Sequence, residues 1–286
     1  MPYADLHVHT TRSDGSLERE AVPAAAKRHG VDVVGLTDHD RLQPVEEPVV
    51  ERDGVTVVNG IELRVEIDGI DEVRPPGDRP DPGQRVDLLG YAVERTAELE
   101  TLTERIQRDR IERGQAIVDR VEDRLGVDLG VTVTDGFGRP HVARAIDDHP
   151  DVDYDYEDAF DGLIGGGDPC FVPRNVPSFE RGRAVLAEAC SVVALAHPLR
   201  YRDPESALER AAALDAVELH YPYGRDVDLT PVRRTIDRHD LLVTGGTDAH
   251  GDELGVAGLS RDEYERLGLP APDGDRYGSG SGNTGR

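Results

Sequence analysis

Tryptophan is absent from these 286 residues, lysine occurs once, at Lys27, and cysteine twice, at Cys170 and Cys190. Two cysteines cannot build a disulfide framework, and these two are too far apart for a CxxC metal or redox motif. Cys190 follows an apolar helical stretch and reads as a core residue. Lys27 sits in Ala26-Lys27-Arg28-His29, which leaves no lysine for a P-loop or a Schiff base. GxxxxGK[ST], GxSxG and a GxGxxG after the first strand are missing as well. No apolar run approaches the ~18 residues of a membrane span, and no charged and apolar leader precedes the first strand. A cytoplasmic protein without membrane partners is expected.

Positive charge is also scarce. The chain has 33 basic against 58 acidic residues, a formal charge of −25. That excludes the basic stripe of a general nucleic-acid-binding surface. Any nucleic acid must be short, or gripped locally by arginine and metal. Self-repulsion of this size is tolerable where the Debye length shrinks to about 3 Å, near 1 M salt. A halophilic protein is therefore expected.

Against these absences, one chemistry recurs. In Asp5-Leu6-His7-Val8-His9-Thr10, alternation along a strand puts His7 and His9 on the same face. Two imidazoles so held can ligate a borderline divalent metal. Four further segments repeat the pattern after apolar runs of buried-strand type. They are Thr37-Asp38-His39-Asp40, Gly60-Ile61-Glu62, Ala196-His197-Pro198 and Gly246-Thr247-Asp248-Ala249-His250. Each alone could be a capped polar residue at a strand end. Five together are the layout of a parallel α/β barrel, whose active site lies at the C-terminal ends of its strands.

These residues, in this order, closely resemble the PHP (polymerase and histidinol phosphatase) superfamily of metal-dependent phosphoesterases, from Asp5 to about Gly251. Gly138-Arg139-Pro140-His141-Val142-Ala143-Arg144, and Phe171-Val172-Pro173-Arg174 ahead of Ala194-Leu195-Ala196-His197-Pro198, are similar to the branch acting on nucleoside bisphosphates and the 5′ end of short RNA. The resemblance implies a distorted (β/α)7 barrel and two or three divalent ions, with mixed donors suiting Zn, Mn or Fe. It implies one metal group of His7, His9, Glu62 and Asp248, a second sharing Glu62 and adding His197, and a third of Asp14, His39 and His250. Where relatives have His-Leu-Leu-Gly-Tyr, this chain has Asp87-Leu88-Leu89-Gly90-Tyr91. Either Asp87 replaces the histidine as a ligand, or that metal is weakly held.

The implied reaction is hydrolysis of a small phosphorylated substrate, a nucleotide or short RNA, by a metal-activated hydroxide. Glu62, Asp248 and His220 are the expected catalytic residues, although His220 could equally be a satisfied strand-end histidine. Arg139, His141 and Arg174 are the expected substrate contacts; for the first two, the alternatives are a turn arginine and a capping histidine. Asp38 or Asp40 could orient His39. A histidinol phosphatase, or a PHP module without catalysis, are the alternative functions.

Strands are expected near 3–8, 31–37, 55–63, 86–93, 191–197, 214–220 and 241–247. The barrel would occupy 1–95 and 181–272, interrupted by a mainly helical insertion, 96–180, on the active-site face. Apolar residues from Leu99 to Leu125 recur at three- and four-residue steps, predicting one long helix over 96–126. Arg105, Arg108, Arg110 and Arg113 on that helix read as a solvated, salt-bridged face. Region 126–167 shows no strong periodicity. Asp203-Pro204 and Thr230-Pro231 read as N-caps before a proline, and Ser260 to Glu263 as a capping box. Residues 273–286 are expected to be disordered.

Overall fold

The structure is a computed structural model that describes residues 1–69, 83–134 and 137–270. The expected disordered tail lies outside the described residues. One sheet dominates: β1 Ala4–Val8, β2 Val33–Leu36, β3 Val49–Arg52, β4 Val55–Glu66, β5 Arg85–Val93, β6 Cys190–Leu195, β7 Ala216–His220 and β8 Leu242–Gly245. Its order is β1-β2-β4-β5-β6-β7-β8, with β3 added as a hairpin partner of β4. The two ends of that path meet. His9 N donates to Ala249 O at 2.9 Å and Ala249 N to His7 O at 3.1 Å. Gly246 permits this closure, since a Cβ there would come within 2.3 Å of His7 N. The result is a nearly closed barrel of mixed direction.

The expected all-parallel barrel needs a correction. β5 runs antiparallel to both β4 and β6, pairing Arg64 with Asp87 and Leu88 with Leu195. The reversal has a chemical consequence. At the face where the parallel strands end, β5 begins, so Asp87 near its start is brought beside Arg64, and Ala196 N donates to Asp87 O. β4 also runs on past Glu62 to Glu66, so Glu62 lies within a strand rather than at its end.

Helices cover the sheet through apolar faces. The face of α5 (Phe179–Ala189) carrying Phe179, Val185 and Leu186 packs with Leu63, Val65 and Leu88. α1 (Val22–Arg28) sets Ala25 and Ala26 on Val34 and Leu36. α6 (Pro204–Ala211) is capped by Asp203, which accepts from Ser206 N at 3.1 Å. α7 (Thr230–His239) starts with Thr230 inside the helix and Leu229 at the N-cap. The Thr230 cap is thus displaced: Asp228 Oδ1 accepts from Thr230 N instead. α8 (Arg261–Arg266) carries the Ser260–Glu263 capping box. Among the described residues no helix is long and apolar enough to cross a membrane.

The long helix is present as α2 (Ala97–Leu125), opened by Thr96 and stopped by Gly126 in the left-handed conformation, φ 70°. Its two halves join different cores. Leu99, Leu102 and Ile106 pack with the barrel, whereas Ile117, Val118 and Val121 pack with α3 (Arg139–Asp147) and α4 (Tyr156–Gly162). Those two helices lie in the stretch whose sequence lacked periodicity. Their buried sets, such as Val142, Ala143 and Ile146, are too short for a repeat to stand out. Nor do all the α2 arginines lie on a solvated face. Arg113 is buried and donates to Val172 O at 2.6 Å, and Arg110 donates to the buried Asp40. Both sit where α2 passes from one core to the other, so tertiary partners override the polar-face pattern.

Candidate metal centre

His7 and His9 project from the end of β1, Asp14 from the turn after it, and His39 from the loop after β2. Glu62 comes from β4, Asp87 from β5, His197 from the end of β6, and Asp248 and His250 from the turn after β8. The structure brings all nine together. Four overlapping sets each place ligand atoms within 4.8 Å of one another: His9, Asp14, His39 and His250; His7, His197 and Asp248; His7, His9 and Glu62; Glu62, Asp87 and His197. Glu62 is the hub. Its Oε2 lies 2.8 Å from His39 Nδ1, 3.3 Å from His9 Nε2 and 3.5 Å from His7 Nε2, and its Oε1 lies 3.0 Å from His197 Nε2.

Backbone strain marks the same place. His197 has φ 27° and Asp248 φ 55°, in the region that side chains rarely occupy. Such residues cost of order 1–3 kcal/mol each and persist only where their surroundings enforce them. Here they aim a histidine and a carboxylate inward.

A second layer fixes these groups. His7 Nδ1 bonds Glu218 Oε1 at 2.9 Å, and Glu218 Oε2 accepts from His197 N at 2.7 Å. Glu218 engages His7 Nδ1, so Nε2 is the nitrogen turned toward the centre. Asp248 Oδ2 accepts from Arg200 and Tyr221, both at 2.9 Å, while Oδ1 faces His9 Nε2 at 3.1 Å. Asp5 bonds Thr247 N and Oγ1 and Gly255 N, pinning the loop that carries Asp248. The flanking aspartates do not orient His39. Asp38 accepts from Thr10, Ser13 and Gln43, and Asp40 from Arg64 N, Arg110 and Arg174.

The protonation pattern follows from crowded carboxylates. Burial pulls His7 down, but Glu218 and Glu62 outweigh it and hold its pKa well above the ordinary histidine value. His39 rises to about 9 despite its burial, chiefly through Glu62. Asp14 falls to about 2, where burial is outweighed by His250 and His39, and Asp248 is lowered by His9 and His7 against its own burial. His9 is lowered, mainly by burial.

This donor set fits a divalent cation. His7 Nε2, both nitrogens of His9 and His197 Nδ1 are buried with no hydrogen-bond partner among the described residues. An unsatisfied buried polar atom costs roughly 1–3 kcal/mol. Converging imidazole nitrogens beside carboxylates are what a divalent cation would satisfy.

Four expected site residues stand elsewhere. His220 turns to Glu263 of α8, Nε2 to Oε1 2.9 Å, because the β7–β8 register is irregular between Glu218 and His220. Arg139 donates to Ile164 O and lies over the rings of Phe160 and Phe171. His141 accepts from Gly138 N, capping its own helix. Arg174 is spent on Asp40. None is among the residues lining the cleft over the centre, whose volume is about 340 Å³. The arginines that line it are Arg64, Arg85 and Arg200, which the sequence motifs did not single out. Tyr221, one residue past His220, was likewise missed.

Against known proteins, residues 5–160 match the PHP domain family. The chain belongs to the PHP family. It is 29% identical over 261 residues to a phosphoribosyl 1,2-cyclic phosphate 1,2-diphosphodiesterase from Eggerthella lenta, covering 86% of this chain and 94% of that one. It is 26% identical to a 3′,5′-nucleoside bisphosphate phosphatase from Chromobacterium violaceum, covering 87% and 88%. A 5′-3′ exoribonuclease from Escherichia coli, Rnm, is also 26% identical, covering 86% and 84%. Among solved structures, one from Bifidobacterium adolescentis, described as a metal-dependent phosphoesterase, shares the fold of this PHP chain. Its TM-score is 0.66 at 21% identity, over 92% of this chain and 94% of that one.

Proposed function

We propose that this PHP protein is a metal-dependent phosphoesterase that removes phosphate from nucleotides, either nucleoside 3′,5′-bisphosphates or the 5′ end of short RNA. The observation that carries the reading is the convergence of nine histidine and carboxylate side chains on one cleft, with buried imidazole nitrogens left unpaired. Two or three ions are proposed, Mn, Zn or Fe by the donor chemistry, held by His7, His9, Glu62 and Asp248, by Asp14, His39 and His250, and by His197 with Asp87. When bound, such ions activate water and offset the charge of a phosphoryl group.

The chain's own residues do the rest. Glu62 ties the groups together, Glu218 keeps His7 Nδ1 protonated, and Tyr221 with Arg200 holds Asp248 so that Oδ1 faces inward. Arg200, about half exposed at the cleft rim, is placed to hold a phosphate oxygen. A cleft of about 340 Å³ has the size of a small-molecule site and favours one nucleotide at a time over a duplex. The net charge of −25 supports a salt-rich interior as its working environment.

Turnover is the test. The purified chain with added Mn²⁺ is given a nucleoside 3′,5′-bisphosphate, a 5′-phosphorylated short RNA, a cyclic ribose phosphate and histidinol phosphate. Preference for either of the first two is expected. Preference for either of the last two would reassign the substrate, and no turnover of any ester would leave a PHP module without catalysis.

A further inference from the structure

The corner of the centre formed by Glu62, Asp87 and His197 differs from the rest, because its second carboxylate is already engaged. Arg64 Nε donates to Asp87 Oδ1 at 2.7 Å and Arg64 Nη2 to Oδ2 at 2.8 Å, a complete bidentate fork. Asp87 is nearly fully buried, so its side of the pair meets little competing water. We propose that Arg64 is a built-in counter-ion for Asp87, so that divalent metal binds tightly elsewhere in the centre and weakly at this corner, with Arg64 setting the difference.

Three features make the pairing a property of the fold rather than of one rotamer. Arg64 and Asp87 are directly opposed in the antiparallel register of β4 and β5, so the sheet itself sets their separation. Arg64 lies two residues after Glu62, which puts both on the face that bears the centre. Both backbones are also tied: Arg64 N donates to Asp40 Oδ1 at 3.0 Å, and Asp87 N donates to Tyr201 Oη at 2.8 Å. The other carboxylates differ. Glu62 and Asp14 meet histidines, whose lone pairs remain usable by a metal, and Asp248 keeps Oδ1 directed inward.

A cation entering this corner has to take Asp87 from a planar fork matched to both of its oxygens. It also approaches a fixed positive charge across a desolvated gap. The guanidinium has somewhere to go, since its side chain is about one-third exposed and lines the cleft. The corner is therefore fillable, but at a cost the other groups do not carry.

The proposal rests on the metal-centre reading, and a binding measurement separates the two. The full chain is stripped with chelator and titrated with Mn²⁺ and with Zn²⁺, by calorimetry and by equilibrium dialysis with elemental analysis. About two tightly held ions are expected, with any further ion much weaker. Arg64→Gln should strengthen that weak site on the order of ten- to a hundredfold, the usual scale for residues behind a metal ligand, and leave the others in place. Asp87→Asn, nearly isosteric, should keep the tight ions and abolish the weak one; it decides the matter even if the Arg64 variant folds poorly. Three equally tight ions in the unaltered chain would overturn the proposal and leave the metal centre standing. So would loss of a tight ion in Asp87→Asn, or no gain in a folded Arg64→Gln. Absence of any metal binding would overturn both.

Discussion

The metal centre and the helices between β5 and β6 both bury charged and polar side chains, but in different conditions. Three arginines of the helical segment are spent within it. Arg113 donates to Val172 O, Arg120 to Phe171 O and Arg139 to Ile164 O, each a guanidinium satisfying a backbone carbonyl. In the centre, His7 Nε2 and both nitrogens of His9 lie among carboxylates with no hydrogen bond, and His197 Nδ1 is buried without one. Satisfied burial stabilises a fold, whereas convergent unsatisfied burial is tolerable only where a ligand repays it. The charge of a residue therefore says less about its role than whether a partner has already claimed it.

The largest effect expected on the centre's side of this contrast comes from its hub. Glu62→Gln or His7→Ala should lower kcat/KM for every phosphate ester by roughly a thousandfold or more, because metal activation of water is lost. Steady-state assays with a folded-state check by circular dichroism would show it. A loss under tenfold would place the chemistry outside this cluster.

Glu218→Gln sharpens the comparison, since Glu218 is a satisfied buried residue acting through His7 and His197. Metal affinity should fall about ten- to a hundredfold, the range for a partner that orients a ligand. Unchanged affinity by calorimetry would reduce Glu218 to packing.

Proton competition gives a further, smaller effect. His39 stays protonated up to about 9 because Glu62 outweighs its burial, so metal must displace that proton at neutral pH. Apparent affinity should rise as pH goes from 7 toward 9, and binding should release protons into buffers of different ionisation enthalpy. Affinity that is flat over that interval would mean His39 does not ligate.

Arg139→Ala tests the helical segment and should matter least. Losing one carbonyl bond and its aromatic contacts should destabilise by roughly 1–3 kcal/mol. Its effect on kcat/KM should be slight, and equal for a nucleoside bisphosphate and a generic monophosphate ester. A loss confined to the bisphosphate would restore the substrate-binding role that its motif suggested.

The same contrast explains what the sequence disclosed. His7 and His9 were legible because strand alternation fixes their face, and His39, Glu62, His197, Asp248 and His250 because each follows a buried apolar run; Asp14 and Asp87 were named only by the family resemblance. The seven strands of the barrel path were legible for the same reason. The antiparallel course of β5 was not, since a run such as Val86 to Tyr91 looks alike in either direction. β3 went unseen because Val49–Arg52 is short and half exposed. Arg139 and Arg174 misled because a motif names residue types, while their partners, Ile164 and Asp40, are set by packing over distances that no local pattern encodes; His141 takes the local capping role that was its alternative. Arg64 escaped notice for the converse reason. Its importance lies in its register against Asp87, a relation between two strands.

The most direct measurement of the central claim is thermal unfolding of the chelator-stripped chain with and without divalent metal. A cation that binds only the folded centre should stabilise it by about 2.7 kcal/mol at a hundredfold excess over its dissociation constant, seen as a Tm rise of several degrees. In Glu62→Gln that rise should largely disappear. An identical Tm with and without Mn²⁺ or Zn²⁺ in the unaltered chain would contradict the account.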